Sequence, residues 1–450
     1  MYEILRNQPV VRNLSLFEES NQKNENNFYG KLGEVYGLEH DFIHLGLGKE
    51  AQAGQRIEAG YKLGKKLADK EIEELSFEPK SIEDLDVVEG LMRAFYFFDK
   101  YKSEKNQPKL KINVITEDQA ILEALDRLEI VNSGVNLARN LVNEPAITIY
   151  PESLANLTKE RLTAHKVDVE VYDLEAIKEL GMKAYLSVAH GSAKEPKLIV
   201  MKWMNNPESK EVLGLVGKGL TYDSGGYSLK PSTGMSTMFC DMGGAGTVIA
   251  TMEAIARLQL KANVIAVVAA AENMISGDAY KPGDIIESMA GKSIEVDNTD
   301  AEGRLTLADA LYYITKVHPV TKVIDLATLT GACLVALGET YSGAVTNDKA
   351  FMDEVISASK AVDEYIWELP NDIAFKNMNK SEVADIKNSG GRLGGTISAG
   401  LFVGEFLHHQ LPWVHLDIAG TAFLSKAAGY RSKGATGVHV KTLVKLIENL

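Results

Sequence analysis

Cysteine is nearly absent: the 450 residues include only Cys240 and Cys333. Two thiols cannot build a disulfide framework, and their scarcity points to a reducing, cytoplasmic compartment. Neither belongs to a paired motif, so both read as small core residues. Long apolar runs are missing too. The longest, Val264–Ala271, has eight residues, whereas a helix needs about 20 to span a bilayer, so no membrane partner is expected. Met1–Ser20 has no apolar stretch and carries Glu3, Glu18 and Glu19, so it does not read as a signal peptide. Positive charge is in deficit, with 48 Lys plus Arg against 62 Asp plus Glu, a formal −14. That balance repels phosphate backbones, and no Lys/Arg stripe offsets it, so nucleic acid is not expected as a partner.

What is present is an ordinary globular composition, 45% hydrophobic and 24% charged, long enough for two or three domains. A helical pattern over Asp118–Leu141 places Leu122, Leu125, Leu128 and Val131 on one side before Asn143-Glu144-Pro145 stops it. The boundary falls there, dividing the chain into residues 1–145, including this connecting helix, and residues 146–450. Another helical stretch runs over Glu50–Glu74. Beyond the boundary, strand-like Lys197–Trp203, Val212–Val216, Ala262–Ala270, Val323–Ala327 and Trp413–Ile418 alternate with helical Ala245–Leu258, Leu305–Lys316, Phe351–Tyr365 and Ile397–His408. Apolar strands alternating with helices predict an α/β domain with a largely parallel core sheet, and such sheets bind ligands outside the carboxyl ends of their strands.

Two polar clusters lie where strands end. One follows Val212–Val216 and carries Lys218, Asp223 and Lys230, with Asp241 further on, just before the helix near Ala245. The other follows Ser293–Val296 and reads Asp297-Asn-Thr-Asp-Ala-Glu-Gly-Arg-Leu305. In extended backbone, residues two apart share a side, which would aim Asp300, Glu302 and Arg304 into one site. Four carboxylates gathered together repel strongly, and divalent cations relieve that repulsion. Two ions about 3.5–4 Å apart need bridging oxygens, which carboxylates supply. A buried lysine beside two dications can become a neutral ligand or remain a donor; spacing does not say which lysine does which. Taken singly, Asp241 is an ordinary helix cap and the lysines ordinary surface groups. Other motifs fail: Gly291-Lys292-Ser293 lacks the upstream glycine of a phosphate loop, no His-Glu-x-x-His occurs, and no nucleophile elbow surrounds Ser224. His408 and His409, adjacent on a predicted helix, do not face each other and read as structural.

The string Asn298-Thr-Asp-Ala-Glu-Gly-Arg-Leu305 resembles the signature octapeptide of the leucyl aminopeptidase (cytosol aminopeptidase) family. Val216-Gly-Lys-Gly-Leu-Thr-Tyr-Asp-Ser-Gly-Gly-Tyr-Ser-Leu-Lys-Pro231 is similar to that family's other active-site stretch. The likeness runs over roughly residues 130–450. It implies a smaller N-terminal α/β domain joined by a helix to a larger catalytic α/β domain with a mixed, largely parallel central sheet. It also implies a metal-dependent aminopeptidase with two divalent ions per subunit, zinc or manganese foremost. Lys218, Asp223, Asp241 and Glu302 would hold one ion, and Asp223, Glu302 and Asp300 the other. A water or hydroxide shared by the ions would attack the scissile carbonyl of a peptide whose free α-amine binds one metal. Lys230 would stabilise the oxyanion, and Arg304 would hold a bicarbonate acting as general base. Thr328, Leu329 and Gly331 match positions that contact substrate backbone, and Met238 matches a wall of the first side-chain pocket, suited to Leu or Met. A homohexamer is implied as well. One departure stands out: Phe239 occupies a position where the family commonly has lysine.

Overall fold

The computed structural model describes residues 1–20, 23–24, 27–105 and 107–450. The chain forms two compact units, Met1–Asn136 with Ser425–Lys433, and Leu137–Leu424 with Gly434–Leu450. The helix Gln119–Asn143 carries the chain across that division. The return of 425–433 to the first unit has no signal in the sequence pattern.

The first unit is built on a six-stranded sheet ordered Tyr2–Arg6, Leu110–Val114, Glu74–Phe77, Asn13–Glu18, Phe42–Gly48, Val35–Tyr36. Every neighbouring pair is parallel except the last. The helix read over 50–74 is confined to Ala53–Asp69. Glu74 instead opens a strand, because Leu75 and Phe77 complete a core with Ile43, Leu63 and Leu91, and burial outweighs local helix propensity.

The second unit carries an eight-stranded sheet ordered Tyr365–Glu368, Tyr341–Thr346, Trp413–Asp417, Lys322–Ala327, Leu213–Asp223, Asn263–Asn273, Lys197–Met204, Asp168–Tyr172. The four strands from Trp413–Asp417 to Asn263–Asn273 are parallel. Antiparallel pairs flank them, Tyr341–Thr346 on one side and Lys197–Met204 on the other. The sheet is therefore mixed and largely parallel at its centre. The apolar run Val264–Ala271 is explained by its place there: nearly all of Asn263–Asn273 is buried, on both faces. Helices Gly243–Arg257, Gly303–Val317 and Gly395–Gly404 pack against the strands, and Val216, Leu220, Leu305, Leu311, Val323 and Phe402 share one core. Each fully buried side chain of this size contributes about 1.5–3 kcal/mol of transfer free energy.

Two helix ends differ from the sequence pattern. The helix read to Tyr365 is Lys349–Lys360, and Tyr365 begins an edge strand. The helix read to His408 stops at Gly404, so His408 and His409 lie in a bend beyond it, with ring centroids 3.9 Å apart and planes tilted by 53°. Cys240 and Cys333 are buried free thiols. Among the described residues, no helix is long and apolar enough to cross a membrane.

Candidate active site

Lys218 does not lie in a loop. The strand read as ending at Val216 continues to Asp223, so Lys218 sits inside a central strand, opposite Ala269. Its neighbours two positions away, Val216 and Leu220, belong to the core, so strand alternation drives the lysine inward. Lys218 and Asp223 are an odd number apart and would face opposite sides of a regular strand. A bulge resolves this: the register against Asn263–Asn273 slips at Ala271/Glu272, leaving Thr221 unpaired, and one extra residue turns Asp223 onto the face of Lys218.

Asp241 follows the short turn Met238–Cys240 and does not cap the next helix, whose N-cap is Met242. Its carboxylate accepts a hydrogen bond from Thr328 Oγ1 at 2.7 Å and pairs with Lys218 Nζ at 2.7 Å. Asp300 and Glu302 meet by another route than the predicted extended alternation. Asp300 lies in a turn, Glu302 has helical backbone at the N-cap of Gly303–Val317, and Arg304 is in that helix's first turn. Between them, Gly303 packs on Lys218: a Cβ there would lie 2.5 Å from Lys218 Nζ, so the buried lysine would have to shift.

The charged groups interlock. Lys218 Nζ reaches Asp241 Oδ2 at 2.7 Å and Glu302 Oε1 at 2.9 Å, and donates to Thr328 O at 3.1 Å. Lys230 Nζ reaches Asp223 Oδ2 at 2.8 Å and Asp300 Oδ1 at 2.6 Å. Burial pushes the acids Asp223 and Asp241 upward, to about 6 and about 8, with neighbouring acids adding to the shift. Asp300 is also raised by burial, then by Glu302. Burial acts on Glu302 in the same direction, but Lys218 and Lys230 overcome it and hold this carboxyl below its ordinary value. Burial disfavours the ammonium of Lys218, yet Asp241, Glu302 and Asp223 prevail and raise its pKa. Arg304 is pushed down to about 10 by burial and remains a cation at neutral pH. Three cations thus face four acids that resist full ionisation together, and added positive charge would be stabilised here.

All these groups line one cavity of about 860 Å³, together with Met238, Thr328, Leu329 and Gly331. Each candidate catalytic, metal-ligating and substrate-contacting residue named from the sequence therefore lines this one cavity. Other residues carried no recognisable motif. Asp417, at the end of its strand, accepts from the amides of Leu329, Thr330 and Ala419 and from Thr330 Oγ1 at 2.5 Å, shaping the 328–331 loop. Asn388 accepts from the amides of Asp297 and Asn298 and donates to Asn298 O, while its own carbonyl receives Arg304 Nη1 at 2.7 Å. Their only sequence signal is a polar residue beside a strand or glycine run, which is common.

The donor set fits divalent ions. One oxygen each of Asp223, Asp300 and Glu302 lie within 4.8 Å of one another. Glu302 Oε2 is buried with no hydrogen-bond partner among the described residues, the state of a ligand atom awaiting a cation. Carboxylate oxygens with one amine suit hard or borderline metals.

Comparisons with known proteins identify the family. Residues 136–444 match the profile described as "Cytosol aminopeptidase family, catalytic domain". A probable cytosol aminopeptidase of Treponema denticola is 48% identical, covering 93% of this chain and 92% of its own. One from Clostridium tetani is 46% identical over 97% and 95% respectively. Among solved structures, a mutant of tomato leucine aminopeptidase superposes with a TM-score of 0.90 at 31% identity, covering 100% of this chain and 97% of the other. The bottromycin maturation enzyme BotP in complex with Mn also scores 0.90, at 30% identity and 98% and 99% coverage. The chain belongs to the cytosol aminopeptidase family, and it is a metal-dependent aminopeptidase, a metallo-exopeptidase of the hydrolase class.

Proposed function

We propose that the protein releases N-terminal amino acids from peptides, with a preference for apolar Leu- or Met-like residues, using two divalent ions, zinc or manganese. The observation that carries this reading is the pair of interlocked clusters, Lys218 with Asp241 and Glu302, and Lys230 with Asp223 and Asp300, on one cavity. Lys218, Asp223, Asp241 and Glu302 would hold one ion, and Asp223, Glu302 and Asp300 the other. When bound, such ions supply Lewis acidity and an activated water for hydrolysis. As a ligand, Lys218 must surrender its proton, which a neighbouring dication favours by reversing the local field.

Lys230 is placed to donate to the developing oxyanion; one such donor contributes about 3–4 kcal/mol to the transition state. The Arg304 side chain is anchored through Nη1 to Asn388 O, while its Nε has no partner among the described residues. That leaves a cation able to hold bicarbonate, which would take up a proton during the reaction. Thr328, Leu329 and Gly331 would align the substrate backbone, with Met238 bounding the first side chain; apolar walls at Met238, Leu329 and Phe423 support the apolar preference. The unit containing these residues is the catalytic one on this reading. Assembly into homohexamers is proposed from the family resemblance alone, and a cytoplasmic setting is supported by the scarcity of cysteine.

The test is hydrolysis of a leucine chromogenic amide with Mn²⁺ or Zn²⁺, before and after chelation. Activity is expected to vanish on exhaustive chelation, return with metal, and be lost in Asp223→Asn. Turnover that survives chelation would overturn the reading.

A further inference from the structure

The strand Asn263–Asn273 ends in a side chain that no motif singles out. Asn273 is fully buried. Its Nδ2 donates to Asp223 Oδ1 at 2.8 Å and to Thr299 O at 3.0 Å. Both neighbours are acceptors only, so the amide has one admissible orientation, nitrogen toward them. Its Oδ1 is turned to Gly226 and has no hydrogen-bond partner among the described residues. Gly226 is held at φ 63°, and a Cβ there would meet Asn273 Oδ1 and Thr299 Oγ1 at 3.0 Å each. What holds the buried amide in this orientation is the pair of bonds its nitrogen donates.

Those donors join two parts of the chain. Asp223 Oδ1 is occupied by Asn273 Nδ2 and by the amide of Gly225 at 2.8 Å, so only Oδ2 faces Lys230 and the cavity. Thr299 opens the turn that carries Asp300, and its Oγ1 donates to Gly225 O at 2.7 Å while receiving the amide of Ser228 at 2.7 Å. Tyr280 Oη also donates to Thr299 O, at 2.9 Å. One amide group therefore ties the carboxylate at the end of one strand to the turn bearing another carboxylate, far apart in sequence.

We infer that Asn273 is a positioning residue for the ion held by Asp223, Glu302 and Asp300: it fixes the Asp223 carboxylate and its offset from Asp300. This rests on the two-ion reading above. Groups that orient metal ligands typically change metal affinity by 10–100-fold when removed. Asp223 serves both ions on that reading, but Lys218 and Asp241 are also held by Thr328, so the ion they share is affected less.

The test is equilibrium dialysis of full-length protein against graded free Mn²⁺, with bound manganese counted by mass spectrometry, for the parent, Asn273→Ala and Asn273→Asp. The Asp variant keeps the volume but loses the donor, so it carries the test should Asn273→Ala not fold. The control is Asn263→Ala, at the other end of the same strand, whose buried amide donates to Asn206 O, Ser209 O and Glu211 O. The parent is expected to bind two Mn²⁺ per chain. The Asn273 variants should bind one ion 10–100-fold more weakly and the other with a smaller loss, while Asn263→Ala keeps both at parental affinity. Two ions bound with parental affinities in the Asn273 variants, or an equal weakening in Asn263→Ala, would overturn the inference. A parent that binds fewer than two ions would overturn the two-ion reading beneath it.

Discussion

Replacing Lys218 by Met tests the electrostatics of the site without reference to turnover. The ammonium is 3% exposed and shared by Asp241 and Glu302. Removing one partner of a buried pair costs about 3–5 kcal/mol, because it strands the opposite charge, and Thr328 O loses a donor at 3.1 Å, worth about 1 kcal/mol more. The stranded acids can take protons instead. Asp241 already sits at about 8 through burial, and without Lys218 it moves higher, so the penalty is small at pH 6 and grows as pH rises. In calorimetric melts of chelator-treated protein at pH 8.5, Lys218→Met should lower Tm by roughly 8–12 °C, at about 2 °C per kcal/mol. Saturating Mn²⁺ supplies positive charge to the same carboxylates and should narrow the gap. A gap below about 2 °C without metal, or one that neither shrinks with Mn²⁺ nor grows with pH, would refute the picture of a lysine counterbalancing two buried acids.

Three further outcomes follow from named contacts. Lys230→Met should lower kcat on a leucine amide about 10²–10³-fold with little change in KM, because oxyanion donation acts mainly in the transition state; a loss below tenfold would remove Lys230 from that role. Gly303→Ala places a methyl 2.5 Å from Lys218 Nζ and should reduce kcat/KM about 100-fold through misplacement, with parental rates counting against the contact. His439 is buried, with Nε2 against Ser342 Oγ at 2.7 Å and Nδ1 against Thr442 Oγ1 at 3.1 Å, and burial lowers its pKa below 6.5. Below pH 6.5 the unfolded chain therefore binds a proton that the folded chain resists, and stability is lost as pH falls. Urea midpoints at pH 7.5 and 5.5 should show a smaller drop for His439→Asn, whose side chain tolerates the positive φ of 66° found there; an unchanged drop would assign the acid loss elsewhere.

Much of the second unit could be read from the chain. The central strands are apolar runs of the right length, and their alternation with helices is what a largely parallel sheet requires. Reading failed where local pattern and burial disagree. Glu74 closes the helical reading yet opens a strand that buries Leu75 and Phe77 in a sheet, and Tyr365 follows a helix into an edge strand. The return of Ser425–Lys433 to the first unit depends on contacts with residues hundreds of positions away.

The division is sharpest at the site itself. The acids, the lysines and Arg304 were identifiable from residue type and from a short string of rare combination, because the demand for four carboxylates beside cations is a demand on composition. How they meet was not. A one-residue bulge brings Asp223 to the side of Lys218, a helix start rather than an extended strand delivers Glu302 and Arg304, and Asp241 leaves its expected cap for Thr328 and Lys218. Asn273, Asn388 and Asp417 hold these parts in register through hydrogen bonds that span the chain. By itself the sequence determined which chemical groups the protein owns. Only the tertiary structure decided which of them share a cavity, because strand phase and long-range hydrogen bonds depend on neighbours that linear spacing does not contain.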